Sequence, residues 1–81
     1  MSKVIPGQFY NNELLKEHFC LKNEGGTITM VALDQDPVGV PIAFTYEQNE
    51  AYSYQYNPII DPKTLARLRQ RVLGMGLVPG A

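Results

Sequence analysis

Tryptophan is absent from this chain, and histidine and cysteine occur once each, as His18 and Cys20. A single cysteine makes no internal disulfide, whereas a small secreted domain of this size normally relies on several, so a reducing compartment is expected. Two soft ligands do not close the four-ligand shell of a structural zinc site without carboxylates or a partner chain, so no metal is expected. With one histidine and only Ser2 and Ser53 as serines, a nucleophile, its base and an orienting group are barely constructible. The paired acids Asp34 and Asp36 sit beside Pro37, where solvated turn carboxylates are the ordinary case. No catalytic residue, cofactor or metal is therefore expected, and the chain is read as not an enzyme. Cys20 is expected to be a small core residue and His18 to lie at the surface or rim.

Long apolar runs are missing too. The opening Met1-Ser2-Lys3-Val4-Ile5-Pro6-Gly7-Gln8 holds no signal-peptide core, and no segment approaches the ~20 apolar residues of a membrane span. A soluble, cytoplasmic protein is the expectation. What is present suits one compact domain over residues 1–81: an apolar fraction of 44% and a charged fraction of 19% are ordinary for a folded chain. The net charge of −1 hides a strong asymmetry. Residues 1–61 carry three lysines against eight acids, net −5, while residues 62–81 carry Lys63, Arg67, Arg69 and Arg71 and no acid, net +4.

Turn signals divide the chain. Residues 1–10 read as a loose N-terminus, and Asn11-Asn12 offers N-caps for a short helix over 13–18. Residues 18–22 alternate polar and apolar, so they suit the end of that helix or the start of a strand. Asn23-Glu24-Gly25-Gly26 is a turn, and the β-branched stretch 27–33 a strand. In 38–46, Val38, Val40, Ile42, Phe44 and Tyr46 share one face, and Pro41, which has no N–H, places this strand at a sheet edge or a bulge. Residues 51–56 alternate as well, with Tyr52, Tyr54 and Tyr56 on one side. If they form a hairpin with the preceding strand, a loop of two or four residues exposes these tyrosines, and one of three residues places Tyr52 and Tyr54 beside Phe44 and Tyr46. Asp61-Pro62 opens a helix running to Leu73, Gly74 or Gly76 caps it, and 75–81 is a non-helical tail. Gly74-Met75-Gly76 follow that helix, at the negative end of its dipole, and so do not form a phosphate loop. The expected architecture is α+β: a short N-terminal helix, an antiparallel meander of three to four strands, and an amphipathic C-terminal helix packed on one face.

Two surfaces remain informative. On the closing helix, Leu65, Ala66, Leu68, Val72, Leu73 and Met75 define an apolar arc, with Lys63, Arg67, Gln70 and Arg71 opposite and Arg69 intruding on the arc. Lys63, Arg67 and Arg71 recur every four residues as one basic row. A core face with a solvated basic back is the ordinary reading of such a helix, and core or rim the ordinary reading of the tyrosines. Arg and Tyr also dominate interface energetics, so Lys63, Arg67, Arg69, Arg71, Tyr52 and Tyr54 are the candidate partner-binding residues. The expected function is that of a non-enzymatic regulatory or inhibitory protein that docks onto a partner protein with an acidic patch. By association, small proteins of this kind are often phage or mobile-element modulators of host polymerases or nucleases. The alternative is single-stranded nucleic-acid binding, with tyrosines stacking on bases and the basic helix neutralising phosphates.

Overall fold

The computed structural model describes residues 4–80. It is an α+β fold: five strands, β1 (Phe9–Asn11), β2 (Glu17–Glu24), β3 (Thr27–Gln35), β4 (Pro41–Asn49) and β5 (Asn57–Pro58), a 3-10 turn over Glu50–Gln55, and one helix, α1 (Pro62–Gly74). The sheet has the order β4-β3-β2-β1-β5 and every neighbouring pair is antiparallel.

The N-terminal helix expected over 13–18 is replaced by a turn between β1 and β2. Asn12 Oδ1 accepts from the N–H groups of Leu14 and Lys16, both at 3.0 Å, so its side chain closes a turn instead of capping a helix. Leu15 sits there at φ 58°, outside the right-handed helical region. Two adjacent leucines make no helical face, whereas pairing Phe9 with Phe19 and Tyr10 with His18 buries four rings, so the sheet wins. Residues 18–22 are accordingly strand. The segment read as a loose N-terminus is bound into the fold from Val4 onward: Val4 is buried, and the Gly7 N–H donates to Cys20 O at 2.8 Å. Residues 1–3 and 81 lie outside the described residues.

The meander is longer than expected, five strands in place of three or four, because β1 and β5 extend it beyond β2. Gly25 and Gly26 turn β2 into β3 with φ of 61° and 79°, the positive pair that a tight hairpin demands. A bulge at Leu21 shifts the β2–β3 register between Cys20 and Lys22. Asp36 closes the β3–β4 hairpin by accepting from Val38 N–H (3.0 Å) and Val40 N–H (2.8 Å).

Both sheet faces carry a core. On one, Phe9, Phe19, Val31 and Leu33 pack with Ile59 and with Leu68 and Val72 of α1. On the other, Tyr10, Cys20, Ile28 and Met30 pack under Val4 and Tyr56. The helix begins as its sequence dictates, with Asp61 accepting from Thr64 N–H at 2.9 Å and Pro62 in the first turn. It ends with Gly76 at φ 82°, where Gly76 N–H reaches Leu73 O (3.0 Å) and Leu77 N–H reaches Val72 O (2.9 Å), and Leu77 packs back on the core. The tail then returns to the start of the chain, where Gly80 N–H donates to Gly7 O at 2.8 Å.

Candidate partner-binding surfaces

The buried arc of α1 is narrow. Leu68 and Val72 are buried and Leu65 is partly so, while Ala66, Leu73 and Met75 are exposed. Arg69 is exposed as well, so it does not intrude on the core as the broad arc implied.

The basic row is not free along its length. Arg67 Nη2 donates to Glu17 Oε2 at 2.5 Å across to β2. Arg71 Nη2 donates to two backbone carbonyls, Asp34 O at 2.5 Å and Ile42 O at 2.7 Å, and so ties the end of the helix to the β3–β4 hairpin. Lys16 and Asp34 approach to 3.8 Å beside them, and these charges line a groove of about 230 Å3. Within the groove one ion pair, Arg67 with Glu17, joins the basic helix to the acidic body, while Arg71 is engaged by backbone carbonyls. Lys63 and Arg69 make no hydrogen bond or ion pair among the described residues and stay exposed.

Of the segment 51–56, expected as a strand, residues 51–55 belong to the 3-10 turn and Tyr56 follows it in extended conformation. Asn49 caps it by accepting from Ala51 N–H at 2.8 Å, and a tight turn takes residues 50–55 out of the ladder before any hairpin with β4 forms. The tyrosine stripe is thereby split. Tyr56 is core: it donates to Gln48 Oε1 at 2.7 Å and, with that proton committed, accepts from the Tyr46 hydroxyl at 2.5 Å. Burial above all, then the hydrogen bond with Tyr46, holds the Tyr56 hydroxyl well above the usual phenol range. Tyr52 and Tyr54 point outward at 47% and 62% exposure, their ring centroids 6.4 Å apart. Ser53 between them is buried, so one short turn anchors inward and displays two rings outward.

His18, expected at the surface or rim, is buried. Its Nδ1–H donates to Lys16 O at 2.9 Å, and its ring lies edge-on to Tyr46 and Tyr56, with centroids 5.9 and 5.5 Å apart. Burial lowers its pKa, against the smaller pull of the Lys16 carbonyl and Asp34. Cys20 is fully buried, and burial pushes its thiol up to about 11. The two groups best suited to acid–base or nucleophilic chemistry are thus engaged in core packing. Among the described residues no three His, Cys, Asp or Glu side chains gather to hold a metal ion.

Sequence reasoning missed one surface. β4 ends the sheet, and along its first five residues both faces are exposed, including Ile42 at 44% and Phe44 at 57%. Val38 and Val40 continue the same apolar line into the hairpin. Pro41 marked an edge or a bulge, but nothing in the sequence indicated that α1 stops short of β4 on one face and that the layer of Val4 and Tyr56 stops short of Ile42 and Phe44 on the other. The ladder to β3 is bracketed by Asp36 N–H to Val40 O and Glu50 N–H to Gly26 O, both 2.9 Å. In the register Gln35↔Pro41 through Thr27↔Asn49, the antiparallel alternation then assigns Ile42, Phe44, Tyr46 and Gln48 to β3. The backbone groups of Pro41, Ala43, Thr45, Glu47 and Asn49 point outward from the edge.

No protein-family model matches this chain, and neither the curated proteins nor the solved structures include a match. No helix among the described residues is long and apolar enough to cross a membrane.

Proposed function

We propose that the protein is a non-enzymatic binding protein that docks onto another protein through the Tyr52–Tyr54 turn. The observation that carries this reading is the outward display of two neighbouring tyrosines on a turn anchored by Ser53 and Tyr56. Such rings give large contact area and hydroxyl hydrogen bonds for the loss of two side-chain torsions each. Exposed Lys63 and Arg69 remain as charges for steering a partner with an acidic patch. Arg67 and Arg71 act in the fold in this reading, which also leaves little free charge for neutralising nucleic-acid phosphates.

The test is the double substitution Tyr52→Ala and Tyr54→Ala. Capture of a protein partner from the source cell, read by mass spectrometry, is expected to fall at least tenfold, the scale of a hot-spot truncation above about 1.4 kcal/mol. The thermal midpoint is expected to stay close to wild type. Undiminished capture sinks the proposal, and tight, salt-dependent binding of a fluorescent oligonucleotide replaces it with the nucleic-acid reading.

A further inference from the structure

The two edges of the sheet are built differently. β5 is two residues long and includes Pro58, so it offers little to pair with. β4 is nine residues long, carries its proline in the first position, pairs with β3 without any register shift, and has Glu47 as its one charge. Exposed edges are ordinarily blunted by shortness, lysines, bulges or internal prolines. β5 uses two of these devices; β4 has only its terminal proline and one acid.

We infer that β4 is the pairing edge of a homodimer, in which a second copy of this chain adds its own β4 antiparallel about a two-fold axis at Thr45. The occupant follows from self-complementarity. An isologous antiparallel pair must match outward-pointing residues with outward-pointing residues, and centring it on Thr45 overlaps all nine positions of both strands. Thr45 then faces Thr45, Ala43 faces Glu47, and Pro41 faces Asn49, giving about eight backbone hydrogen bonds because the proline lacks a donor. On the other face Phe44 meets Tyr46 of the second copy and the reverse, so an exposed ring becomes a cross-strand aromatic pair. Glu47 lies against alanine and never against its own copy, which a register centred on Glu47 would force. The seam is about 30 Å long and open on both faces along the first five residues of each strand, so pairing buries on the order of 1,000 Å2 in total, the threshold for a specific interface.

The experiment is sedimentation velocity over a wide concentration range on the intact chain and on Thr45→Lys, Thr45→Glu and Thr45→Pro. Wild type is expected to sediment as a dimer. Thr45→Lys and Thr45→Glu, each placing like charges across the axis, are expected to weaken self-association at least tenfold, and an equimolar mixture of the two to restore it. Thr45→Pro removes an outward N–H while sparing the bonds to β3, and is expected to be monomeric with an unchanged circular-dichroism spectrum. The charge pair does not depend on the proline variant folding. A wild-type protein that stays monomeric at every concentration overturns the inference, as does a dimer indifferent to the charge substitutions. A monomer whose partner capture depends on Thr45 also overturns it, by giving the edge to another protein's strand. Loss of self-association with capture through Tyr52 and Tyr54 intact leaves the docking proposal standing, so the two fail separately.

Discussion

Replacing Arg71 with alanine tests whether the basic helix is structural. The guanidinium reaches Asp34 O at 2.5 Å and Ile42 O at 2.7 Å, holding the last turn of α1 to the end of the β3–β4 hairpin. Hydrogen bonds from a charged donor contribute about 1.5–3 kcal/mol each. The carbonyls regain water once the side chain is removed, since Arg71 is only partly buried, so the net loss is set at about 2 kcal/mol. The lost charge–dipole attraction at the helix C-terminus adds a few tenths. For a domain of this size that corresponds to a midpoint lowered by about 10 °C. Arg71→Lys keeps the charge but not the planar fork that serves two carbonyls, and should lose about half as much. Lys63→Ala, on the same row without a partner, is the control and should shift stability by less than about 0.5 kcal/mol. The assay is thermal and urea unfolding followed by circular dichroism. If Arg71→Ala matches the Lys63 control, the clamp contributes nothing and the basic row returns as a docking surface.

Two further substitutions test His18 and Gly7. His18 has a pKa lowered by burial, so its stabilising contribution is present above the ordinary imidazole range near 6.5 and is lost as pH falls through that value toward the folded one; the midpoint of the wild type should drop between pH 7.5 and 5, and His18→Phe should flatten that part of the profile. Gly7 sits at φ 86°, and a Cβ there would lie 2.6 Å from the Gly80 nitrogen, so Gly7→Ala should destabilise the fold and speed proteolysis of the C-terminal tail, read by limited digestion and mass spectrometry.

Much of the fold was legible because its signals are local. Asp61-Pro62 marked the start of α1, Gly74 or Gly76 its left-handed cap, which falls at Gly76, Asn23-Glu24-Gly25-Gly26 the turn after β2, and Pro41 an edge or a bulge, which is the edge. The failures are non-local. Asn12 satisfies turn chemistry and cap chemistry equally well, and only the pairing of Phe9 with Phe19 decides between them. Tyr52, Tyr54 and Tyr56 alternate as a strand would, yet the Asn49 cap turns the chain into a 3-10 geometry that displays Tyr52 and Tyr54, and the extended Tyr56 that follows is buried. For the candidate surface, residue type identified Tyr52, Tyr54, Lys63 and Arg69, but the engagement of Arg67 and Arg71 depends on partners 50 and 29 to 37 residues away. The bare faces of β4 depend on where α1 lies on one side of the sheet and Val4 and Tyr56 on the other, which periodicity within β4 does not encode.

The return of the tail to Gly7 sets how the molecule bears load. Gly80 N–H bonds to Gly7 O, so the tail leaves the fold beside the segment, anchored from Val4 onward, by which the chain enters it. Force applied through the two ends loads the Val4 and Ile5 contacts on one side and the Gly80–Gly7 bond on the other, and on the tail side peels the chain from that bond back toward Leu77 before any strand is stretched along its length. Unzipping proceeds one bond at a time and resists weakly, whereas shearing would load the whole ladder at once. A domain tethered at both ends should therefore yield at low force, releasing α1 from the sheet while β2, β3 and β4 remain paired.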